Sequence, residues 1–320
     1  MREVAFEQDD PAAVFFEIQA AFPSMPHAFL HETLSALGLP PTVCRFISCL
    51  YWGHGCRIAG TDGLHEGFRI GAGIRQGCPI SPLLFAVVVD PLLRRLRRAL
   101  PSDTARAYAD DLAVVLRSLS GALPCLVEIF QDFAAASGLH LNFGKVILIP
   151  LGDATPASVS LLLQARFPAW SLVQCRLWAK YLGFVLGPER GERAWEQALA
   201  KALARARLWA QVALGLQFAA LVYKVYVSSI LGFLLQLERL PSSWQTVEAS
   251  LFRALVPGPF RWCAAADLHG LRQDFSFPQE FVDLREVSLA ARFRVTQLEA
   301  APSGRTWRAF LAPPPCCGRT

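Results

Sequence analysis

The stretch Tyr108-Ala109-Asp110-Asp111, followed by the apolar run Leu112–Leu116, decides the fold of this chain. Alternating and β-branched residues flank the two acids, which predicts a strand, a tight turn at the acids and a second strand. Adjacent Asp side chains on such a turn cannot both enter the core, and their charges repel. A cation is therefore the expected partner, and Mg²⁺ favours carboxylate oxygens. The alternative interpretation is a solvated Asp-Asp turn.

The composition indicates a globular chain of two or three domains. It has 320 residues, of which 53% are hydrophobic and 18% charged, enough to form a sizeable core. The formal net charge of +5 permits a polyanionic partner without requiring one. A mean hydropathy of +0.33 raises a membrane protein as an alternative. However, the uncharged stretches 208–223 and 225–237 are separated by Lys224 and contain Gln, which favours a buried helix pair and no membrane partner.

The nine cysteines favour a reducing compartment. None of them forms a C-x-x-C pair, their number is odd, and no signal peptide is visible, so neither a zinc ribbon nor a disulfide framework is indicated. We expect an intracellular protein, nuclear or cytoplasmic, that is not secreted.

Periodicity and turn residues predict the remaining elements. A buried strand at 14–18 carries Glu17, and a domain boundary is expected near Gly187, after which the chain has helical spacing to about Leu255. Further helices are predicted at 26–37, 41–51, 85–96 and 123–137, and further strands at 57–59, 68–70, 146–149 and 178–184.

The loop Gly71–Phe85 is a candidate ligand-binding segment. Gly73 and Gly77 permit close backbone approach, and Ser81 is predicted to cap the following helix. A glycine loop carrying Arg and Gln ahead of a helix can hold a phosphate or a base. An ordinary loop-to-helix joint is the equally favoured alternative.

Taken in order, these motifs resemble a known family. They are Glu17, Phe22, Arg75-Gln76-Gly77-Cys78-Pro79, Tyr108-Ala109-Asp110-Asp111, Gly138-Leu139-His140-Leu141-Asn142 with Lys145, and Tyr181-Leu182-Gly183. Over roughly residues 10–260 the chain resembles the reverse transcriptase domain of non-LTR (LINE-type) retrotransposons, and it is similar to group II intron reverse transcriptases.

The resemblance implies an α+β right-hand polymerase. Residues 1–186 would form the palm, an antiparallel sheet with helices, containing a partial fingers insertion at about 26–75. Residues 187–265 would form an α-helical thumb whose arginines meet nucleic-acid phosphates. Residues 266–320 would form a C-terminal extension with a disordered tail.

The implied chemistry is RNA-directed DNA synthesis by two Mg²⁺ ions on an RNA template and a DNA primer with dNTP. Asp110 would be the principal metal ligand, assisted by Asp111, and Glu17 stands where the family places a metal-binding Asp. Lys145 matches a lysine that protonates or neutralises pyrophosphate. As a bare residue, it would more often be a surface charge.

Two further groups of residues take their roles from the resemblance. Phe22 matches an aromatic residue beneath the sugar that disfavours a ribose 2′-hydroxyl, with core packing as the alternative. Gln76, together with Arg75 and Gly77, matches the loop that contacts the templating base and the incoming nucleotide. The segment Tyr181-Leu182-Gly183 matches the hairpin that grips the primer, although the same residues are also typical of a buried strand.

Departures from the family pattern predict weak or absent activity. The extra methylene of Glu17 moves its carboxylate by about 1 Å, and a misplacement on that scale can cost about 10²-fold in rate. Sixteen residues precede Glu17, so we expect the basic fingers strands to be missing. No endonuclease domain or zinc-knuckle cluster is apparent. The alternative function is a catalytically dead retroelement remnant that retains nucleic-acid binding.

Overall fold

The computed structural model describes residues 10–212, 214–256, 258–259 and 262–299. The chain divides into two compact units, Met1–Glu189 and Arg190–Thr320. The division falls close to the boundary predicted at Gly187. The predicted disordered tail lies outside the described residues.

The first unit contains all the strands of the described chain. These strands are β1 (Ala12–Glu17), β2 (Gly55–Gly60), β3 (Gly63–Arg69), β4 (Thr104–Tyr108), β5 (Asp111–Leu116), β6 (Ile147–Pro150), β7 (Gln174–Cys175), β8 (Ala179–Tyr181) and β9 (Phe184–Leu186). The helices of this unit are α1 (Ala21–Ser24), α2 (His27–Ala36), α3 (Pro41–Tyr51), α4 (Ser81–Ala99), α5 (Leu119–Ser137) and α6 (Pro156–Arg166). The mixture of helices and a mainly antiparallel sheet confirms the predicted α+β class.

A five-stranded sheet in the order β4-β5-β1-β6-β7 organises this unit. Strand β1 is antiparallel to both β5 and β6, and only the β6–β7 pair is parallel. Alternation along β1 sends Val14 and Phe16 into the main core, whereas Phe15 belongs to a smaller cluster on the opposite face. The ring of Phe16 packs against Phe130 and Trp170, with centroids 4.5 and 5.9 Å away.

Most predicted elements of the first unit are present, several of them longer than predicted. The predicted helix at 41–51 has the bounds of α3, and Gly138 ends α5 with a left-handed φ of 68°. The predicted capping role of Ser81 was wrong. Ser81 is already helical, without a capping hydrogen bond, because its hydroxyl donates to the Arg75 carbonyl at 2.6 Å. The side chain thus ties down the glycine loop instead of the helix end.

The second unit consists of helices and connecting loops, with no strand among its described residues. Its helices are α7 (Arg193–Ala210), α8 (Leu216–Val222), α9 (Ser228–Gly232), α10 (Trp244–Leu255), α11 (Ala265–His269), α12 (Leu271–Phe275) and α13 (Leu284–Glu299), with a π-helical turn at Tyr223–Val227 and a 3₁₀ turn at Leu234–Gln236. The stretch 208–237, predicted to form a buried helix pair, is divided among the end of α7, α8, the π-helical turn, α9 and the 3₁₀ turn.

One described helix, α5, has the length and hydropathy of a membrane span. Its buried side chains include Leu123 and Leu126, which are fully enclosed in the main core of the first unit. Core helices of soluble proteins have the same length and composition, so this helix does not by itself indicate a membrane.

We expect Phe16→Ala to lower the free energy of unfolding by about 3–5 kcal/mol, because it empties a buried aromatic site at the centre of the sheet. Chemical denaturation monitored by circular dichroism measures this loss. Phe68→Ala is the matched control: its side chain is 65% exposed, and its removal should change stability by less than about 0.5 kcal/mol. Equal losses in the two variants would contradict the core assignment.

Candidate active site

Strand pairing places two of the predicted acids directly opposite each other. In the antiparallel β1–β5 register, Glu17 is the partner of Asp111 and Phe15 is the partner of Ala113. Directly opposed residues project from the same face, with Cβ atoms about 5 Å apart. Asp110 lies in the two-residue turn between β4 and β5, where Ala109 adopts a φ of 52°. The three acids therefore meet at one end of the sheet.

The electrostatics of this acid cluster are unfavourable without a cation. Burial raises the pKa of Asp111, and the negative charges of Asp110 and Glu17 raise it further. Each cause penalises the ionised form of the carboxyl group. A bound cation would relieve this repulsion.

Lys145 supplies one positive charge. Its Nζ donates to Glu17 Oε1 at 2.5 Å. This hydrogen bond and the Glu17 charge raise the pKa of Lys145, with a smaller effect from Asp110. Backbone bonds hold the arrangement, because Asn142 N donates to the Glu17 carbonyl and Lys145 N donates to the Asn142 carbonyl, both at 2.9 Å. The sequence motif indicated Lys145 but gave no sign of this pairing, which joins residues 128 positions apart.

The chemistry of the acid cluster fits a divalent metal ion, although its geometry is open. Carboxylate oxygens are the ligands that Mg²⁺ prefers. Among the described residues, a single group of three has all its ligand atoms within 4.8 Å of one another, and it consists of Glu248, His269 and Asp283 in the second unit. The oxygens of Glu17, Asp110 and Asp111 are thus more widely spread than those of that group.

The predicted nucleotide-binding residues line one open pocket of about 450 Å³. Phe22, Arg75, Gln76 and Gly77 contribute to it, and Cys78, Ser81 and Pro82 complete the lining. Phe22 also stacks on Phe85, with ring centroids 4.8 Å apart. The core-packing interpretation of Phe22 is therefore compatible with its position at the pocket.

The predicted primer-grip segment forms the turn of the β8–β9 hairpin. The Tyr181 ring stacks on Phe15 at 4.7 Å, and its hydroxyl donates to the Asp111 carbonyl at 3.3 Å. Tyr181 thus contacts the backbone of the acid cluster. Leu182 and Gly183 follow it in the turn with φ values of 47° and 86°. Two consecutive positive φ angles are typical of a type I′ turn, in which Asn-Gly is preferred.

Comparison with protein families identifies the class of the first unit. A model of the family described as reverse transcriptase (RNA-dependent DNA polymerase) matches residues 3–186, more than half of the chain. The chain therefore belongs to the reverse transcriptase family.

Individual relatives narrow the class further. The chain is 33% identical over 156 residues to the Retrovirus-related Pol polyprotein from type-2 retrotransposable element R2DM of Drosophila melanogaster, a match that covers 47% of this chain and 15% of that protein. It is 30% identical over 201 residues to the Retrovirus-related Pol polyprotein from type-1 retrotransposable element R2 of Bradysia coprophila, covering 58% and 23%. These relatives confirm the expected reverse transcriptase domain of the non-LTR, LINE-type class. The matches span less than a quarter of either relative.

Among solved structures, telomerase from Candida albicans in complex with a fragment of telomeric RNA resembles the chain with a TM-score of 0.47 at 10% identity. The match covers 89% of this chain and 44% of that one.

Because the Asp111 carboxylate is destabilised in the folded state, Asp111→Asn should raise the melting temperature of the metal-free protein at pH 7 by about 1 °C or more. The pKa of Asp111 is raised above 3.8, so its cost to stability develops as pH rises through the window from 3.8 to the folded-state pKa. The difference between the two proteins should accordingly vanish below pH 3.8. Thermal unfolding across pH with chelator present measures this, and a melting temperature lowered at pH 7 would contradict the repulsion.

Leu182→Asn should raise the free energy of unfolding by about 1 kcal/mol, because Asn tolerates the left-handed conformation that costs a leucine roughly 1–2 kcal/mol. Leu172→Asn is the matched control, since Leu172 is 70% exposed and is not among the described residues with positive φ. Urea denaturation of both variants provides the measurement. A gain at both positions would show that removing an exposed leucine, rather than relieving the turn, is responsible.

Proposed function

We propose that this chain is the RNA-directed DNA polymerase core of a non-LTR retroelement, a domain built to extend a DNA primer on an RNA template with dNTPs, and that Glu17 leaves the activity of the unmodified chain weak or absent. The observation that carries the proposal is the register of β1 against β5, which opposes Glu17 and Asp111 beside the turn that holds Asp110. Membership of the reverse transcriptase family supports it. Residues 1–186 would serve as the palm, with a partial fingers insertion at about 26–75, and residues 187–265 as the thumb.

In this proposal Asp110, Asp111 and Glu17 hold the two Mg²⁺ ions. When bound, such ions activate the primer 3′-hydroxyl and neutralise the charge that develops on pyrophosphate. The protein's own contribution is to fix these acids on paired strands and at a tight turn, so that they are positioned before substrate arrives. Lys145, whose ammonium group already lies beside Glu17, would carry a proton or a positive charge to the leaving pyrophosphate.

The pocket at Phe22 would receive the incoming nucleotide. Arg75 and Gln76 are exposed at its rim, where a guanidinium can pair with phosphate and an amide can bind a base edge. Tyr181, Leu182 and Gly183 would position the primer end, because the Tyr181 hydroxyl anchors this hairpin to the backbone of Asp111.

A second candidate function is nucleic-acid binding without synthesis. The contact that favours it is the ion pair between Lys145 and Glu17. The side chain of Glu17 reaches the lysine, so a positive charge competes with a metal ion for one carboxylate oxygen. On either proposal the chain is intracellular, and the free state of all seven described cysteines supports that location.

Extension of a labelled DNA primer on an RNA template tests the proposal with four proteins. These are the unmodified chain, Glu17→Asp, a fusion that adds the segment preceding the matched region in the Drosophila relative, and the fusion carrying Glu17→Asp. We expect Mg²⁺-dependent synthesis only from the last protein, because it combines the shorter carboxylate with an added segment that would contact the triphosphate. The gain from Glu17→Asp within the fusion should be about 10²-fold.

Two point variants of the fusion that carries Glu17→Asp identify the site. Asp110→Ala should abolish synthesis, whereas Asp62→Ala should not, since the Asp62 side chain is 74% exposed in the turn between β2 and β3. Robust synthesis by the unmodified chain would contradict the weak-activity proposal. Template–primer binding by all four proteins without synthesis by any would establish the second candidate function instead.

A further inference from the structure

A polar cluster inside the second unit is independent of the acid cluster. Glu248 on α10, His269 at the end of α11 and Asp283 before α13 bring their ligand atoms within 4.8 Å of one another. Aromatic rings enclose the cluster. Phe252 packs against His269 with centroids 5.5 Å apart, and Tyr223 packs against Phe252 at 5.2 Å. Such surroundings exclude water and strengthen electrostatic interactions.

The hydrogen bonding of His269 fixes the orientation of its lone pair. Its Nδ1 lies 2.9 Å from the Phe281 carbonyl oxygen, and because a carbonyl can only accept, Nδ1 must carry the proton. In the neutral ring the lone pair is then on Nε2, which faces Glu248 Oε1 at 3.4 Å. Two hydrogen-bond acceptors therefore face each other, and a cation between them would remove their repulsion. A histidine whose Nδ1–H binds a carbonyl while Nε2 faces acids has the arrangement of a metal ligand.

The Tyr223 hydroxyl provides an independent observation. Tyr223 is fully buried and Glu248 is 4% exposed, yet within the described residues neither the Tyr223 hydroxyl nor Glu248 Oε1 has a hydrogen-bond partner. The tyrosine hydroxyl lies close enough to Glu248 and Asp283 for their charges to act on it. Burying a polar atom without a partner lowers stability, so a ligand that satisfies several such atoms at once is strongly favoured.

We propose that Glu248, His269 and Asp283 bind a divalent transition-metal ion, for which Zn²⁺ is the best match. One imidazole nitrogen and two carboxylate oxygens give three ligands, and four-coordinate Zn²⁺ accepts this set. The nearby Tyr223 hydroxyl, which has no hydrogen-bond partner among the described residues, could interact with a ligand in the fourth position. The backbone N–H of Arg285 donates to Asp283 Oδ1 at 2.8 Å, which orients that carboxylate. Because the ligands come from α10, α11 and the start of α13, the ion would join three segments of the second unit.

Zinc titration of the chelator-treated full chain tests this proposal. Isothermal titration calorimetry should give one tight Zn²⁺ site per chain, and Zn²⁺ should raise the melting temperature. Asp110→Asn should retain the site, which separates it from the acid cluster of the first unit. His269→Gln and Glu248→Gln should each raise the Kd for Zn²⁺ by about 10²-fold or more, since even loss of an outer partner of a ligand costs roughly 10–100-fold.

Glu286→Gln is the matched control, because Glu286 is exposed in the first turn of α13 and should leave the Kd unchanged. The absorption spectrum of the Co²⁺-loaded protein should lack a thiolate charge-transfer band, which excludes binding by the cysteines. Absence of saturable Zn²⁺ binding by the folded, unmodified chain would overturn the proposal and leave a protonated His269 as the cation. Binding that persists in His269→Gln, or a thiolate band, would also overturn it.

Discussion

The antiparallel pairing of β1 with β5 is the constraint on which the first unit depends. Strand β1 lies between two neighbours and is buried on both faces, so its register is fixed by packing on each side. A slip of one residue would move Phe16 out of the main core and Glu17 to the other face of the sheet. The strand pairing that stabilises the fold therefore also determines which acids lie close together. Glu17 faces Asp111 only because Phe16, the preceding residue, is packed in the main core.

This arrangement destabilises the ionised form of the acids. Folding brings Asp111 beside Asp110 and Glu17 while removing part of its hydration, and both effects raise its pKa. Lys145 offsets only part of the negative charge and remains 60% exposed. Natural proteins tolerate such local destabilisation at functional sites, where it is relieved by a ligand. The strained Leu182 in the neighbouring hairpin fits the same pattern.

The sequence predicted those elements whose conformation depends on a few adjacent residues. The β4–β5 hairpin follows from alternation around Asp110, and the end of α5 follows from Gly138, because the conformational preferences of a few adjacent residues decide both. The capping role assigned to Ser81 failed because its hydroxyl has a competing acceptor, the Arg75 carbonyl. Contacts between residues far apart in the sequence could not be predicted from local sequence patterns. Neither the Glu17–Lys145 pair nor the grouping of Glu248 with His269 corresponds to a spacing that sequence alone reveals.

The two polar clusters present the same electrostatic problem in different surroundings. At the sheet, Lys145 can leave Glu17 without a large penalty, because both side chains reach solvent and an exposed ion pair contributes little to stability. A metal ion could therefore compete reversibly for that carboxylate, as the proposed catalysis requires. In the second unit, Glu248 is buried with no lysine or arginine ion pair among the described residues, so whatever cation neutralises it contributes to the stability of the fold. On the functions proposed above, the first cluster would exchange its metal ions with each substrate, whereas the second would retain its ion.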